Sequence, residues 1–211
     1  WMPFSRYIFN SVFITIVGTT GNIVFSSMAA YVLSKHKFPG KNVIFQVVVL
    51  SLLFSTAVTG VPNYIIITKL KMINTLWALI LPLLPSSLGL FLMKQFMDQM
   101  IPDTLLEAAR LDGAGENRIF LNICLPLVRP AWMTLLIFSF QGIWASTGGS
   151  YIFDEELKTL PTALSNIVSS GISRTGVSSA VSLLMIIPPI GVFLFAQSNV
   201  MQTMATSGMK D

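Results

Sequence analysis

The sequence is poor in charge, cysteine and histidine. Only 10% of its 211 residues are charged, whereas a soluble domain carries about 25%. One cysteine and one histidine exclude a disulfide scaffold and a cysteine-built zinc site, and argue against a histidine-based metal site or catalytic triad. By contrast, 53% of the residues are hydrophobic and the mean hydropathy is +0.72, too high for disorder. The composition predicts an integral membrane protein with one transmembrane domain over 1–211.

The thirteen basic residues, which give a net charge of +4, are scattered between long uncharged runs. A nucleic-acid-binding protein would gather them on one polar surface, so we expect no nucleic acid among the partners. Their placement favours loops that lie beside anionic lipid headgroups. The loop 35–41 alone holds three lysines. By the positive-inside rule this loop, together with the stretch 94–129, is predicted to face the cytoplasm.

Stretches without charge locate the predicted membrane spans, because a spanning helix needs about 20 mostly apolar residues and a central charge is costly. The runs are continuous and exceed the alternating segments of about ten residues that form β-barrels. The expected fold is therefore an all-α, polytopic transmembrane helical bundle. The shorter uncharged stretch 159–173 is rich in Ser, Thr and Gly and predicts a loop or a surface helix. The five predicted spans lie near 10–34, 42–62, 74–93, 130–149 and 178–200.

Glycine or proline interrupts four of the predicted spans. In lipid such breaks persist where neighbouring helices or a cavity satisfy the freed backbone groups. They are compatible with a transport path and equally with ordinary kinked packing. The positions are Gly18, Gly21, Gly60, Pro62, Pro82, Pro85, Pro188 and Pro189.

One stretch has the charge content of a soluble protein, because nine of the 22 charged residues lie between Lys94 and Arg129. Pro102 suits the first turn of a helix, and Asp103 places negative charge near its positive end. Leu105, Ala108 and Ala109 predict a narrow face of small residues. Glu107 and Arg110, three residues apart, are expected to pair on the helix surface. Gly113 and Gly115 are expected to stop the helix, before a second helix leads into the next span.

The same stretch resembles the EAA loop of ABC importer permeases. The family pattern is EAA-x3-G-x9-I-x-L-P, and every fixed position matches. Ser5-Arg6-Tyr7, Ile73-Asn74-Thr75-Leu76-Trp77 and Leu160-Pro161 are similar to the carbohydrate branch of that family, the maltose-transporter-like permeases. The likeness covers nearly the whole chain. It implies an EAA coupling loop over 94–129, with coupling carried by Glu107, Ala108, Ala109, Asp112, Gly113, Ile123, Leu125 and Pro126.

The resemblance also implies an assembly. Family members have six helices, so it implies a first helix upstream of Trp1. The expected partners are a second, different permease subunit, two ATP-binding-cassette ATPase subunits and an extracytoplasmic substrate-binding protein, in the cytoplasmic membrane of a prokaryote. The chain would then be a transporter subunit without enzyme activity or a cofactor of its own, since ATP and magnesium would bind to the ATPase. Indeed Gly40-Lys41-Asn42 lacks the glycine and the Ser or Thr of a phosphate loop.

By the same resemblance the expected function is import of a mono- or oligosaccharide by alternating access. The EAA motif alone equally allows an amino acid, a peptide or an anion. A secondary transporter or channel usually carries an ionisable residue within the membrane, and the five predicted spans contain none; an intramembrane enzyme is disfavoured on the same ground. The candidates for the substrate path are Gln141, Trp144, Ser146 and Thr147. The alternative is that Trp144 anchors the interface and the polar groups serve helix packing. Where relatives often have Asn-Asp or Asn-Glu after this Trp, the chain has Ala145-Ser146-Thr147-Gly148-Gly149.

Overall fold

The computed structural model describes residues 3–146, 148, 151–169 and 175–207, and within these ranges it contains helices and no β-strand. The all-α fold class is therefore confirmed. Short 3₁₀ turns at Leu81–Leu83 and Glu155–Leu157 and a π-helical turn at Phe120–Cys124 join some of the helices. The α-helices are α1 Phe4–Lys35, α2 Lys41–Ser51, α3 Thr56–Lys69, α4 Leu76–Ile80, α5 Ser87–Met100, α6 Asp103–Leu111, α7 Glu116–Ile119, α8 Leu125–Leu127, α9 Arg129–Trp144, α10 Leu160–Ser169 and α11 Thr175–Ser207.

Three helical stretches are long and apolar enough to cross a membrane: Phe4–Lys35, Leu76–Met100 and Gly176–Gln197. A fourth crossing results if Glu116–Leu127 and Arg129–Trp144, bent by 78° to each other, count as one. The bend falls at Val128, whose backbone leaves helical geometry, and α9 then begins with Pro130 in its first turn, where proline is tolerated. These stretches overlap four of the five predicted spans, and the total number of spans stays a prediction.

The region 42–62, predicted as one span, is divided by the structure into α2 and α3, and its crossing as a single span stays a prediction. The backbone tightens at the end of α2, where Leu53 N–H donates to the Leu50 carbonyl at 3.0 Å, and Ser55 is extended. Pro62 and Gly60, which seemed the obvious breakers, lie inside continuous α3. The hydroxyl of Ser51 donates to the carbonyl of Val48, a bond that competes with regular helix geometry.

Helix α1 lies at the centre of the bundle, packed along α5 and α9, while α9 packs along α11. Much of its buried face is polar or small, although Ile14, Tyr31 and Leu33 are buried as well. We call the following residues the α1 polar row: Asn10, Ser11, Thr15, Thr19, Asn22 and Ser26. Small residues let backbones approach closely in a membrane. At Gly89 of α5 a Cβ atom would lie 2.6 Å from Ser26 Oγ. Gly18 and Gly21 do not interrupt α1, which runs unbroken.

The loop 35–41 and the stretch 94–129, which the charge pattern assigns to the same side, lie together at one end of the bundle. At this end, Lys35 contacts Asp103 and His36 contacts Glu116. At the other end, Asn10 donates to the backbone carbonyls of Glu156 and Lys158, at 2.8 and 3.0 Å. The stretch 159–173, predicted to be a loop or a surface helix, contains the helix α10, whose first residues are buried against the bundle; residues 170–173 lie outside the described ranges.

Candidate functional site: the coupling loop and the cavities beside α1

Helix α6 is the helix for which the sequence predicts the coupling role, and we call it the coupling helix. Pro102, in extended geometry, precedes it as the N-cap. Asp103 in its first turn and Arg110 in its last turn complement the helix dipole. Leu106 is the buried residue of this helix, at 2% exposure, and packs into the core at that end of the bundle. Sequence reasoning missed Leu106, because a nine-residue helix offers too few turns to define an apolar face.

The three residues of the EAA triplet do not share one environment. Glu107 and Ala108 are exposed, whereas Ala109 is half-buried against the core. Within the described part of the chain, Glu107 forms no ion pair or side-chain hydrogen bond. Leu111, at 89% exposure, lies beside them at the end of the helix. The predicted small-residue face is therefore split, and the outward side of α6 presents a free carboxylate beside small and apolar side chains.

The predicted pair between Glu107 and Arg110 was wrong. Arg110 Nε instead donates to Glu116 Oε1 at 2.8 Å. This bond and the charge of Glu116 raise the pKa of the Arg110 guanidinium. The reason is the turn between them, which reverses the chain and brings Glu116 back over the last turn of α6.

That turn depends on Gly113. The N–H of Gly113 donates to the Arg110 carbonyl and the N–H of Ala114 donates to the Ala109 carbonyl, both at 3.0 Å. This is the Schellman arrangement, which needs a left-handed residue just past the helix end. Gly113 has φ +82° and open space around its missing Cβ, so its conformation and not crowding requires glycine. Gly115, predicted to stop the same helix, is extended and instead precedes α7.

Beyond the turn, the chain returns to the bundle through α7, the π-helical turn and α8. Of the motif residues here, Ile123 and Leu125 are half-buried and Pro126 is exposed. The indole of Trp132 donates to the Leu125 carbonyl at 3.1 Å across the bend. Sequence analysis expected a helix running directly into the next span, but the two parts meet at 78°.

The base of the coupling loop is a continuous apolar core that joins it to three long helices. Its members come from the ends of α1, α5 and α9 nearest the loop as well as from the loop itself. Since interiors of this kind are close-packed, they transmit displacement rather than absorb it. The fully packed residues are Ala30, Tyr31, Met93, Met97, Ile101, Leu106, Ile119, Cys124, Val128, Ala131 and Leu135.

One buried cation also lies at this base. Lys35 has a side chain only 5% exposed, and its Nζ donates to the Ile101 carbonyl at 2.6 Å and to Asp103 Oδ1 at 2.9 Å. The hydrogen bond and charge of Lys35 lower the pKa of the Asp103 carboxyl. The ammonium is therefore satisfied by a carbonyl and a carboxylate, as a buried charge requires.

The four candidates for the substrate path are only partly brought together. Trp144 and Ser146 line one cavity of about 110 Å³, with Ser11 and Thr15 of α1 opposite. Gln141 is exposed and does not line that cavity, and Thr147 lies outside the described residues. The Trp144 ring is 5% exposed and its indole Nε1 donates to the Met185 carbonyl at 2.8 Å.

A second cavity, of about 260 Å³, lies farther along α1 and involves residues that sequence reasoning missed. Asn22 lines it, donating to the Leu83 carbonyl at 2.9 Å and accepting from Ser139 Oγ at 3.0 Å. Among the described residues that line the two cavities, none is charged. The available signal was the spacing of polar residues along α1 at intervals of three and four, which marks one helix face.

Helices long and apolar enough to cross a membrane define the class of this chain, which is an integral membrane protein. The chain belongs to the family of binding-protein-dependent transport system inner membrane components, whose model matches residues 4–206. It is therefore a multi-pass protein of the cytoplasmic membrane, as the sequence predicted.

Two of the individual relatives are named as transport system permease proteins. The chain is 33% identical over 202 residues to the sn-glycerol-3-phosphate transport system permease protein UgpE of Yersinia enterocolitica, covering 92% of this chain and 70% of the relative. It is 30% identical to Protein LplC of Bacillus subtilis and 29% identical to the arabinooligosaccharides transport system permease protein AraQ of Halalkalibacterium halodurans, each over 95% of this chain and 72% of the relative.

Among solved structures, the fold matches a chain of a bacterial ABC transporter involved in the import of the acidic polysaccharide alginate. The TM-score is 0.81 at 23% identity, covering 92% of this chain and 74% of that chain. At that identity the match supports the fold.

Proposed function

We propose that this chain is a translocation subunit of an ATP-binding-cassette importer for a carbohydrate, coupled to its ATPases through α6. The observation that carries the proposal is the exposed, unpaired Glu107 beside Ala108 on a short helix whose opposite side is built into the core. Such a helix presents a docking surface that cannot move without moving the ends of α1, α5 and α9. Glu107, Ala108, Asp112 and Gly113 are the residues proposed to couple.

The proposed assembly contains a second permease subunit, two ATPase subunits and an extracytoplasmic binding protein. The external binding protein is supported by the family, whose members are components of binding-protein-dependent transport systems. ATP and magnesium would be bound by the ATPase subunits. Their closure would favour one of two packings of the membrane helices, which is alternating access stated as a population shift.

The proposed solute class is a neutral, polyhydroxylated molecule. One relative is named for arabinooligosaccharides and another for sn-glycerol-3-phosphate. The two cavities beside α1 offer hydroxyl and amide groups, an indole and no charge. Uncharged polar groups beside apolar walls suit a sugar. A phosphorylated polyol is the second candidate, favoured by the relatives named for sn-glycerol-3-phosphate.

The experiment is a thermal-shift screen of the external binding protein purified with the complete complex. Neutral mono- and oligosaccharides, glycerol phosphate, amino acids and short peptides would be tested at equal concentration. Stabilisation by a saccharide is expected, because a ligand that binds the folded state raises its melting temperature. Stabilisation by an amino acid or a peptide alone would overturn the carbohydrate proposal.

A further inference from the structure

Both ends of the coupling helix are tied to the cytoplasmic end of α1. Asp103, at the start of α6, is bound by Lys35. Glu116, just past the turn that ends α6, accepts a hydrogen bond from the Tyr31 hydroxyl at 2.6 Å. Tyr31 and Lys35 are four residues apart, so they lie on one face of α1. The coupling helix is thus fixed to α1 at two points.

Glu116 links three groups. Its Oε2 accepts from Tyr31 and lies 3.4 Å from His36 Nε2, while its Oε1 accepts from Arg110 Nε. Arg110 belongs to the last turn of α6 and Tyr31 to the membrane helix. The carboxylate therefore joins the coupling helix to α1 through two consecutive hydrogen bonds.

Of the two hydrogen bonds that Glu116 accepts, the one from Tyr31 is stronger than the one from Arg110. The Arg110 and Glu116 side chains are 39% and 46% exposed, and exposed ion pairs contribute little because water and salt screen them. Tyr31 is only 5% exposed, and its ring packs into the core. A hydroxyl that donates to a carboxylate from such a site forms a short, charge-assisted bond, and without that bond a buried hydroxyl would lack its partner.

We propose that Tyr31 and Glu116 are positioning residues that transmit the movement of α6 to α1. This inference rests on the proposed function, since it specifies the path by which the ATPase signal reaches the membrane. Helix α1 also carries the α1 polar row, whose Ser11, Thr15 and Asn22 line the two cavities. A displacement of α6 would therefore reach the cavity walls through a single continuous helix.

The test uses the complete transporter in proteoliposomes, with its binding protein, and compares Tyr31→Phe, Glu116→Gln and the double variant. The measured quantity is the number of solute molecules imported per ATP hydrolysed. Each single variant is expected to lower this ratio at least about fivefold, the lower end of typical coupling effects. The double variant should be no worse than the poorer single variant, because both remove the same bond.

The matched control is Tyr7→Phe. Tyr7 lies at the opposite end of α1, and its hydroxyl also donates to a carboxylate, Glu155 Oε1, at 2.6 Å. The chemical change is the same, but the ratio of import to hydrolysis should stay within about twofold of the wild type, since this bond is far from α6. Equal losses in Tyr7→Phe and Tyr31→Phe would overturn the inference.

The outcomes separate the two proposals. If the wild-type complex hydrolyses ATP without any response to the loaded binding protein, the proposed function fails. If the wild type responds and both single variants retain its import ratio, only the positioning role fails. A lower yield of assembled complex with an unchanged ratio would likewise show a structural role. If the Tyr31→Phe complex does not assemble, Glu116→Gln still tests the positioning role, because a substitution at the half-exposed Glu116 disturbs packing less.

Discussion

The indole of Trp144 in α9 donates a hydrogen bond to the carbonyl of Met185 in α11, with the two atoms 2.8 Å apart. Met185 lies four residues before Pro189, which has no N–H to donate to that carbonyl. The side chain thus replaces the helix bond that the proline removes, as the lipid environment demands of freed backbone groups. A proline that looked like a simple helix breaker is in this way compensated by a residue of another helix.

Trp144→Phe is expected to destabilise the protein, because the Met185 carbonyl loses its donor while the aromatic packing on Phe140 is largely kept. The loss should be about 0.6–2 kcal/mol, the range measured for hydrogen bonds between membrane helices, as determined from unfolding in detergent. In a Pro189→Ala background the destabilisation caused by Trp144→Phe should be smaller, because the backbone N–H of Ala at this position can donate to the Met185 carbonyl. Trp77→Phe, at an indole that is 55% exposed, serves as control. Equal costs in both backgrounds would refute this account of Trp144.

Gly89→Ala tests the close contact of α1 and α5. The new methyl would lie 2.6 Å from Ser26 Oγ and 3.1 Å from Leu135 Cδ1, and overpacking of this kind costs about 1–3 kcal/mol. Gly142→Ala, with nothing within 4 Å of the added Cβ, should be neutral or stabilising, because alanine favours helix. Adding Ser26→Ala should recover part of the loss. A Gly89→Ala protein with wild-type melting temperature would contradict the packing described here.

The Asp103 carboxyl predicts a pH dependence. Its pKa is lowered from 3.8 by Lys35, so the folded state binds this proton less tightly than the unfolded state. The stabilisation from the pair is therefore complete above the unfolded pKa and lost as pH falls through the lower, folded pKa.

The difference in melting temperature between the wild type and Asp103→Asn should accordingly be constant from pH 7 to about pH 5, shrink as the pH falls below about 4, and disappear only below the lowered pKa of the folded state. High salt should reduce it, since Asp103 is largely exposed. Asp112→Asn is the control, because Asp112 lies at the other end of α6 and forms no ion pair with any residue that the structure describes. A difference that persists unchanged at pH 3 would show that the pair with Lys35 is not its source.

The sequence predicted the fold class and the approximate position of four spans because membrane helices exclude charge, and that constraint is local. It also predicted that a helix would end at Gly113, since the stop signal depends on nearby residues. These features are set by single residues or short windows, which is why no knowledge of the tertiary structure was needed to find them.

Features that depend on tertiary contacts were not predictable from the sequence. The partner of Arg110 is Glu116 rather than Glu107 because a left-handed turn folds the chain back. The break between α2 and α3 falls upstream of Pro62 and just after Ser51, whose hydroxyl also contacts the Ser87 hydroxyl of α5. The α1 polar row was hidden because hydroxyl and amide residues do not interrupt a charge-free run.

The central claim is that the geometry of α6, set by the turn at Gly113, couples ATP hydrolysis to transport. Gly113→Val places a β-branched side chain at φ +82°, a left-handed conformation that such residues avoid. The turn should therefore rearrange and reorient Glu107 and Ala108, while membrane insertion stays intact. Gly115→Val is the matched control, because Gly115 is extended and has open space around it, and valine suits extended backbone.

The most direct measurement is the ATPase activity of the reconstituted transporter with and without its substrate-loaded binding protein, for the wild type, Gly113→Val and Gly115→Val. The account predicts clear stimulation in the wild type and Gly115→Val, and little or none in Gly113→Val despite a normal amount of the chain in the membrane. Undiminished stimulation of Gly113→Val would contradict it.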